Sequence, residues 1–221
     1  MASSLCAFSQ FYDGILWGFS VQPEIAHRWL SVDESRAGQN LALPSILDFR
    51  KNEFPVINIC GGLHGQKQKG RTIWEIGIQY QQTGTQMKST LLNVMDPAAP
   101  TQIIQRTKFT YLEIPLLYKY AFGSGAFIAT GLQVGALLRS ENIIYFIYET
   151  GKNRKERDDI AMDVRSYAVS PIVQCGINIH DNDHSRMSLQ SSFKVNIVPP
   201  VNAPIREYYW NMGLGLGYFF K

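Results

Sequence analysis

The end of the chain alternates in polarity residue by residue. Tyr208, Trp210, Met212, Leu214, Leu216, Tyr218 and Phe220 share one parity, and Glu207, Tyr209, Asn211, Gly213, Gly215, Gly217 and Phe219 share the other. A period of two gives each class its own side of a β-strand, whereas a helix would scatter both around its circumference. This segment is a strand.

The pattern recurs upstream. Met187, Leu189, Phe193, Val195 and Ile197 oppose Ser188, Gln190, Ser192, Lys194 and Asn196, interrupted only by Ser191. Tyr167, Val169, Pro171, Val173, Cys175, Ile177 and Ile179 oppose Ala168, Ser170, Gln174, Gly176, Asn178 and His180, with Ile172 as an apolar intruder. Ile128, Leu132, Val134 and Leu138 oppose Gly131, Gln133, Gly135 and Arg139; Leu112, Ile114, Leu116, Tyr118, Tyr120 and Phe122 oppose Glu113, Pro115, Lys119 and Ala121. Trp74, Ile76, Ile78 and Tyr80 oppose Glu75, Gly77, Gln79 and Gln81, and Trp17, Phe19, Val21, Ile25 and Trp29 oppose Gly18, Ser20, Gln22, Glu24 and Arg28. The weakest segment runs from Phe54 to Gln66, with Pro55, Ile57, Ile59 and Leu63 against Asn58, Gly62 and His64. Eight strands of about 10–14 residues are expected, long enough to cross a hydrocarbon layer when tilted.

The connections alternate in length. Lys67–Gly70, Gly123–Gly125 and Asp181–Ser185 are tight and rich in turn residues. Ser31 to Glu53, Met87 to Arg106 and Ser140 to Met162 are long, and Pro199 to Pro204 is intermediate. Short turns at one end and long loops at the other describe an eight-stranded up-and-down antiparallel barrel with both termini at the short-turn end. Residues 15–221 read as a single barrel domain, and residues 1–14 as a leader remnant or flexible terminus without the basic and apolar regions of a working signal peptide.

Composition narrows the class. The 221 residues include 21 Lys+Arg and 18 Asp+Glu, a net +3, which is no basic surplus for nucleic acid. Charged residues are 18%, below the roughly 25% of soluble domains, and aromatics are 12%. No apolar run is long enough for a transmembrane helix. Cys6, Cys60 and Cys175 form no paired metal or redox motif.

Alternation alone does not say which face is wet, because a lipocalin-like soluble barrel buries its apolar face and a membrane barrel shows it to lipid. The polar face carries both charge signs (Glu24, Arg28, Glu75, Glu113, Lys119, Arg139, Lys194), which suits a narrow interior filled by side chains. Aromatics gather near strand ends (Trp17, Trp29, Trp74, Tyr80, Tyr118, Tyr120, Tyr208, Trp210, Tyr218), as interfacial girdles require. A transmembrane β-barrel of the bacterial outer membrane is expected.

The string Phe109-Thr-Tyr-Leu-Glu-Ile-Pro-Leu-Leu-Tyr-Lys-Tyr-Ala-Phe122 resembles the fourth strand of the PorT-like outer-membrane β-barrel family of Bacteroidota. Gly123-Ser124-Gly125 and Gly131-Leu-Gln-Val-Gly135 match the tight turn and glycine-rich strand that follow it there, and Gly213 to Phe220 is similar to the family's closing strand. The resemblance implies a fold and a location, with secretion or gliding machinery served by some relatives.

Candidate chemistry is sparse. His180-Asp181-Asn182-Asp183-His184 holds metal-ligand residue types but reads as a hydrophilic turn, and His27 and His64 read as strand-end residues. Glu75 and Glu113 have the parity of the interior, where Lys119, Lys194 and arginines neutralise them, so a structural salt network is favoured over acid–base work. Lys152–Asp159 mixes signs and reads as a solvated loop, while Ile143–Tyr148 is an apolar segment that either extends the fifth strand or packs on a partner. No catalytic, cofactor-binding or metal residue is expected, and no cofactor. The expected partners are the outer-membrane bilayer and another envelope protein or complex, with no nucleic acid. A non-enzymatic accessory barrel is the leading reading; a soluble barrel binding an apolar ligand and an outer-membrane enzyme with a loop-end active site are the alternatives.

Overall fold

The computed structural model describes residues 14–32, 52–92, 99–151, 153–159, 164–182, 184–201 and 205–220. Their strands are β1 (Gly14–Val32), β2 (Glu53–Phe54), β3 (Val56–Lys69), β4 (Thr72–Met87), β5 (Thr90–Leu91), β6 (Gln102–Ala121), β7 (Ala126–Ile147), β8 (Asn153–Asp159), β9 (Tyr167–Asp181), β10 (Ser185–Val195) and β11 (Ile205–Phe220). Eight of them close a ring in the order β1-β3-β4-β6-β7-β9-β10-β11, all pairs antiparallel, and β11 returns to β1 with Phe220 opposite Trp17. Closure leaves no edge in the wall, which is what a sheet in lipid requires. The expected leader at 1–14 falls almost wholly on residues outside those described.

The faces follow the alternation. Outward residues are apolar and exposed: Trp17 61%, Ile57 73%, Leu63 71% and Trp74 63%. Inward residues are polar and buried, among them Gln22, Glu24, Gln66, Glu75, Gln79, Gln81, Glu113, Lys119, Gln133 and Lys194. This inverts the distribution of a water-soluble protein and overturns the reading as a soluble barrel with an apolar pocket. Aromatic rings pair along the outside, with Trp74 and Tyr118 centroids 5.0 Å apart near the short turns and Trp29 and Trp210 6.5 Å apart toward the long loops. Their amphipathic bodies mark the two interfaces.

Eight strands enclose a narrow interior, and inward glycines leave room in it for the polar side chains. A Cβ on Gly213 would lie 2.3 Å from Gln22 Nε2 and 2.7 Å from Glu24 Cγ, so its missing side chain is the space those polar groups occupy. The short turns use glycine differently: Gly70 and Gly125 have φ of 59° and 81°, the left-handed region.

Three expectations change. Several strands are longer than a membrane crossing needs; β1 has 19 residues, β6 has 20 and β7 has 22. The charged run at 153–159 is strand β8, not a loop, and pairs with Glu141–Ile147. Ile143–Tyr148 consequently extends β7 through Ile147 as a three-stranded sheet with β6 and β8, and Ile143 is only 4% exposed. Arg139 also leaves the interior. The register slips between Thr110 and Tyr111, whose partners are Arg139 and Leu137, so Leu138 is an extra residue and parity beyond it reverses. The Arg139 side chain is 54% exposed.

Candidate functional site

The interior is built in levels. Nearest the short turns, Leu16, Ile73, Ala121, Phe127 and Phe219 are buried and form an apolar floor. The Lys119 ammonium lies 5.0 Å from the Phe127 ring centroid and 6.0 Å from that of Phe219. It also meets Glu75 Oε2 at 2.7 Å, while His64 Nδ1 stands 3.2 Å from Glu75 Oε1. Gln66 Nε2 donates to Glu75 at 2.5 Å, and Ser20 Oγ lies 2.8 Å from His64 Nε2. His64 is therefore not a strand-end residue but a mid-strand member of this network. Its small partners Gly18 and Gly77 across β1 and β4 leave room for the ring.

Mid-barrel, Lys194 Nζ stands 3.5 Å from Glu24 and 3.6 Å from Glu113 and hydrogen-bonds Gln81 Oε1. Glu24 accepts from Gln81 at 2.8 Å, Asn211 at 2.9 Å and Gln22 at 3.1 Å; Glu113 accepts from Gln79 at 3.1 Å. Each buried charge thus has opposite charge and further hydrogen bonds, the condition under which ions are tolerated away from water. Glu75 and Glu113 sit in separate networks, the first paired with Lys119 and the second with Lys194. A cavity of about 10 Å³ lined by Gln81, Tyr111, Glu113, Lys194 and Asn211 is the space of a single water.

Toward the long loops, Phe109, Tyr111, Ala168 and Tyr209 form a second apolar layer, with Phe109 and Tyr209 rings 5.4 Å apart. Above it Arg28 donates to Glu53 through Nε at 2.9 Å and to Glu207 through Nη1 at 2.6 Å, and Tyr209 OH donates to Glu207 at 3.0 Å. The Arg28 link could not be read from sequence because Glu53 precedes the weakest strand. The lumen is plugged at both ends.

Among the described residues the remaining histidines bring no ligand set together. His27 lies edge-on to Trp210 at 6.0 Å in the outer girdle, and like His64 it stands inside its strand and not at the strand end. In the 180–184 turn, Asn182 Oδ1 accepts from the His184 and Ser185 backbone at 2.9 Å and 2.7 Å, and Asn182 Nδ2 meets His180 Nε2 at 2.8 Å. Asp183 lies outside the described residues. Among the described residues no metal-holding group of His, Cys, Asp and Glu occurs. Cys60 is buried and Cys175 exposed, and both are free.

A closed ring with a polar, filled interior and an apolar outer wall is an integral outer-membrane barrel. The chain belongs to the outer membrane protein beta-barrel domain family, whose model matches residues 55–221. It is a protein of the bacterial outer membrane. Solved structures similar in fold include the attachment invasion locus protein Ail of Yersinia pestis (12% identity, TM-score 0.45, covering 93% of this chain and 98% of that one). Neisserial surface protein A is similar at 12% identity and TM-score 0.37, covering 90% and 95% of the two chains. The outer membrane protease OmpT from Escherichia coli is similar at 9% identity and TM-score 0.41, covering 94% and 97%. No curated protein matches the chain.

Proposed function

We propose that this barrel is a non-enzymatic accessory subunit of the PorT-like type, which engages another envelope protein through the sheet that rises beyond its long-loop end. The filled lumen carries the reading. With the interior plugged by Phe127 and Phe219 below and Phe109 and Tyr209 above, solute transport has no path, and the barrel's remaining surfaces are its wall and its rim. The rim holds a strand, β8, whose pairing among the described residues is to β7 alone. Its other edge offers backbone groups to a partner strand, and its Arg, Lys, Glu and Asp side chains restrict which strand is accepted.

The test is affinity capture of the tagged full-length protein from native outer membranes after mild cross-linking, alongside a variant lacking residues 149–159. The expected result is one stoichiometric envelope protein that disappears with the deletion, while the deleted barrel still shifts on an unheated SDS gel. Recovery of the same partner by the deletion variant would move the interface elsewhere. Hydrolysis of ester or peptide substrates that co-purifies with the monomer would replace the reading with an enzymatic one.

A further inference from the structure

The outer wall above the row Tyr80, Leu112, Ala136 and Tyr167 carries cations that the interior does not use. Directly paired residues of an antiparallel sheet project to the same side, so the pairings place each higher row. Next above Leu112 on this face come Thr110 with Arg139, then Lys108 with Glu141, then Arg106 with Ile143 and Arg157, then Tyr145 with Lys155. The opposite side at these levels is occupied by Phe109 and Tyr111, which belong to the interior cluster. Five cations therefore share one outward face.

Among the described residues their anions are few. Glu141, 6% exposed, holds Arg139 Nη2 at 3.1 Å and Arg157 Nε at 2.9 Å on the same oxygen. A guanidinium has five N–H donors, so one shared carboxylate leaves both forks with donors to spare. Asp159, opposite Glu141 at the margin, accepts from Ser140 Oγ at 3.4 Å. Arg106 Nε is enclosed and has no hydrogen-bond partner among the described residues.

Position identifies the ligand. Leu112 and Leu138, 42% and 57% exposed, are lipid-facing wall, and Tyr80 and Tyr167 flank them as interfacial anchors. Arg139 and Lys108 follow two and four residue pairs higher, roughly 7–14 Å along strands tilted near 45°. That is headgroup depth, since the interfacial zone is about 5–7 Å thick on each side of the hydrocarbon. We infer that this face of β6, β7 and β8 binds the phosphate of an anionic lipid of the outer leaflet. Arg139 and Lys108 contact it at its own depth, Arg157 and Arg106 reach it from above, and its acyl chains lie on Leu112 and Leu138. Guanidinium forks match phosphate oxygens bidentately.

The experiment places the purified full-length protein in phosphatidylcholine nanodiscs with and without bisphosphorylated lipid A, and measures lipid A retained by native mass spectrometry. Wild type is compared with the triple variant Lys108→Gln, Arg139→Gln, Arg157→Gln, and with Arg154→Gln on the opposite face of β8. All are first confirmed folded by their gel shift. The triple variant is expected to lose about a hundredfold in lipid A affinity, at roughly 1 kcal/mol per cation near the surface. Arg154→Gln is expected to bind as wild type. Equal retention by wild type and triple variant overturns the inference, as does displacement of lipid A by inorganic phosphate alone, which would make the site one for the free ion.

Discussion

Glu75 and Lys119 illustrate how a single residue is held in a membrane barrel. Lys119 has the Phe127 ring at 5.0 Å and one carboxylate at 2.7 Å, with water excluded from both sides. Removing that carboxylate leaves an ammonium buried with no equal counter-charge, which typically destabilises a fold by about 3–5 kcal/mol. Glu75→Gln is therefore expected to lower the urea midpoint of unfolding in lipid vesicles markedly. The double variant Glu75→Gln, Lys119→Met should recover much of the loss, because it removes the orphaned charge as well. Equal destabilisation by single and double variants would show that packing, not charge pairing, sets the stability of this level. Both residues were legible as interior from parity alone, which also made Lys119 one of several candidate counter-charges for Glu75; the particular pairing needed the strand register. His64 shared the polar parity of its strand, but its contact with Glu75 was not legible, since it depends on two glycines in neighbouring strands that sequence order does not bring together.

At the scale of strands, the alternation carried nearly all of the fold, because a wall with lipid outside and a polar lumen inside writes its two solvents into every second residue. It failed where the wall ends. Arg139 reverses side because Leu138 is an inserted residue opposite the Thr110–Tyr111 step, and an insertion of one is invisible to a period of two until a partner strand is present. The run Asn153–Asp159 failed for a related reason: beyond the hydrocarbon layer β8 is polar and exposed on both faces and has no apolar parity to show. Gly213 of β11 shows what an inward glycine leaves room for. Gly213→Val would force side-chain atoms into Gln22 and Glu24, so the expected outcome is loss of the heat-dependent gel shift or a barrel weakened by more than 2 kcal/mol. Gly123→Ala, with nothing within 4 Å of its Cβ position, is the matched control and should assemble normally. Refolding yield and gel shift of the two variants side by side check the claim.

For the molecule as a whole, the plugged interior predicts electrical silence. Reconstituted in planar bilayers, the purified barrel is expected to show no stepwise conductance, and vesicles carrying it should swell in small sugars no faster than empty ones. Reproducible unit conductance would mean that the Lys194 and Glu75 networks part in the membrane. The cylinder's seam has a consequence for how such a molecule is made. Trp17 and Phe220, neighbours in the finished wall, are separated by most of the chain, and the bonds between β1 and β11 are the last that synthesis makes possible. Loop length adds only a logarithmic entropy to that closure. Timing matters more: until β11 arrives, β1 presents an open, greasy edge to every other strand in reach. A chain of this design has to be escorted through the aqueous space whole and admitted to the membrane late, so its biogenesis is governed by chaperones and insertion machinery as much as by its own stability.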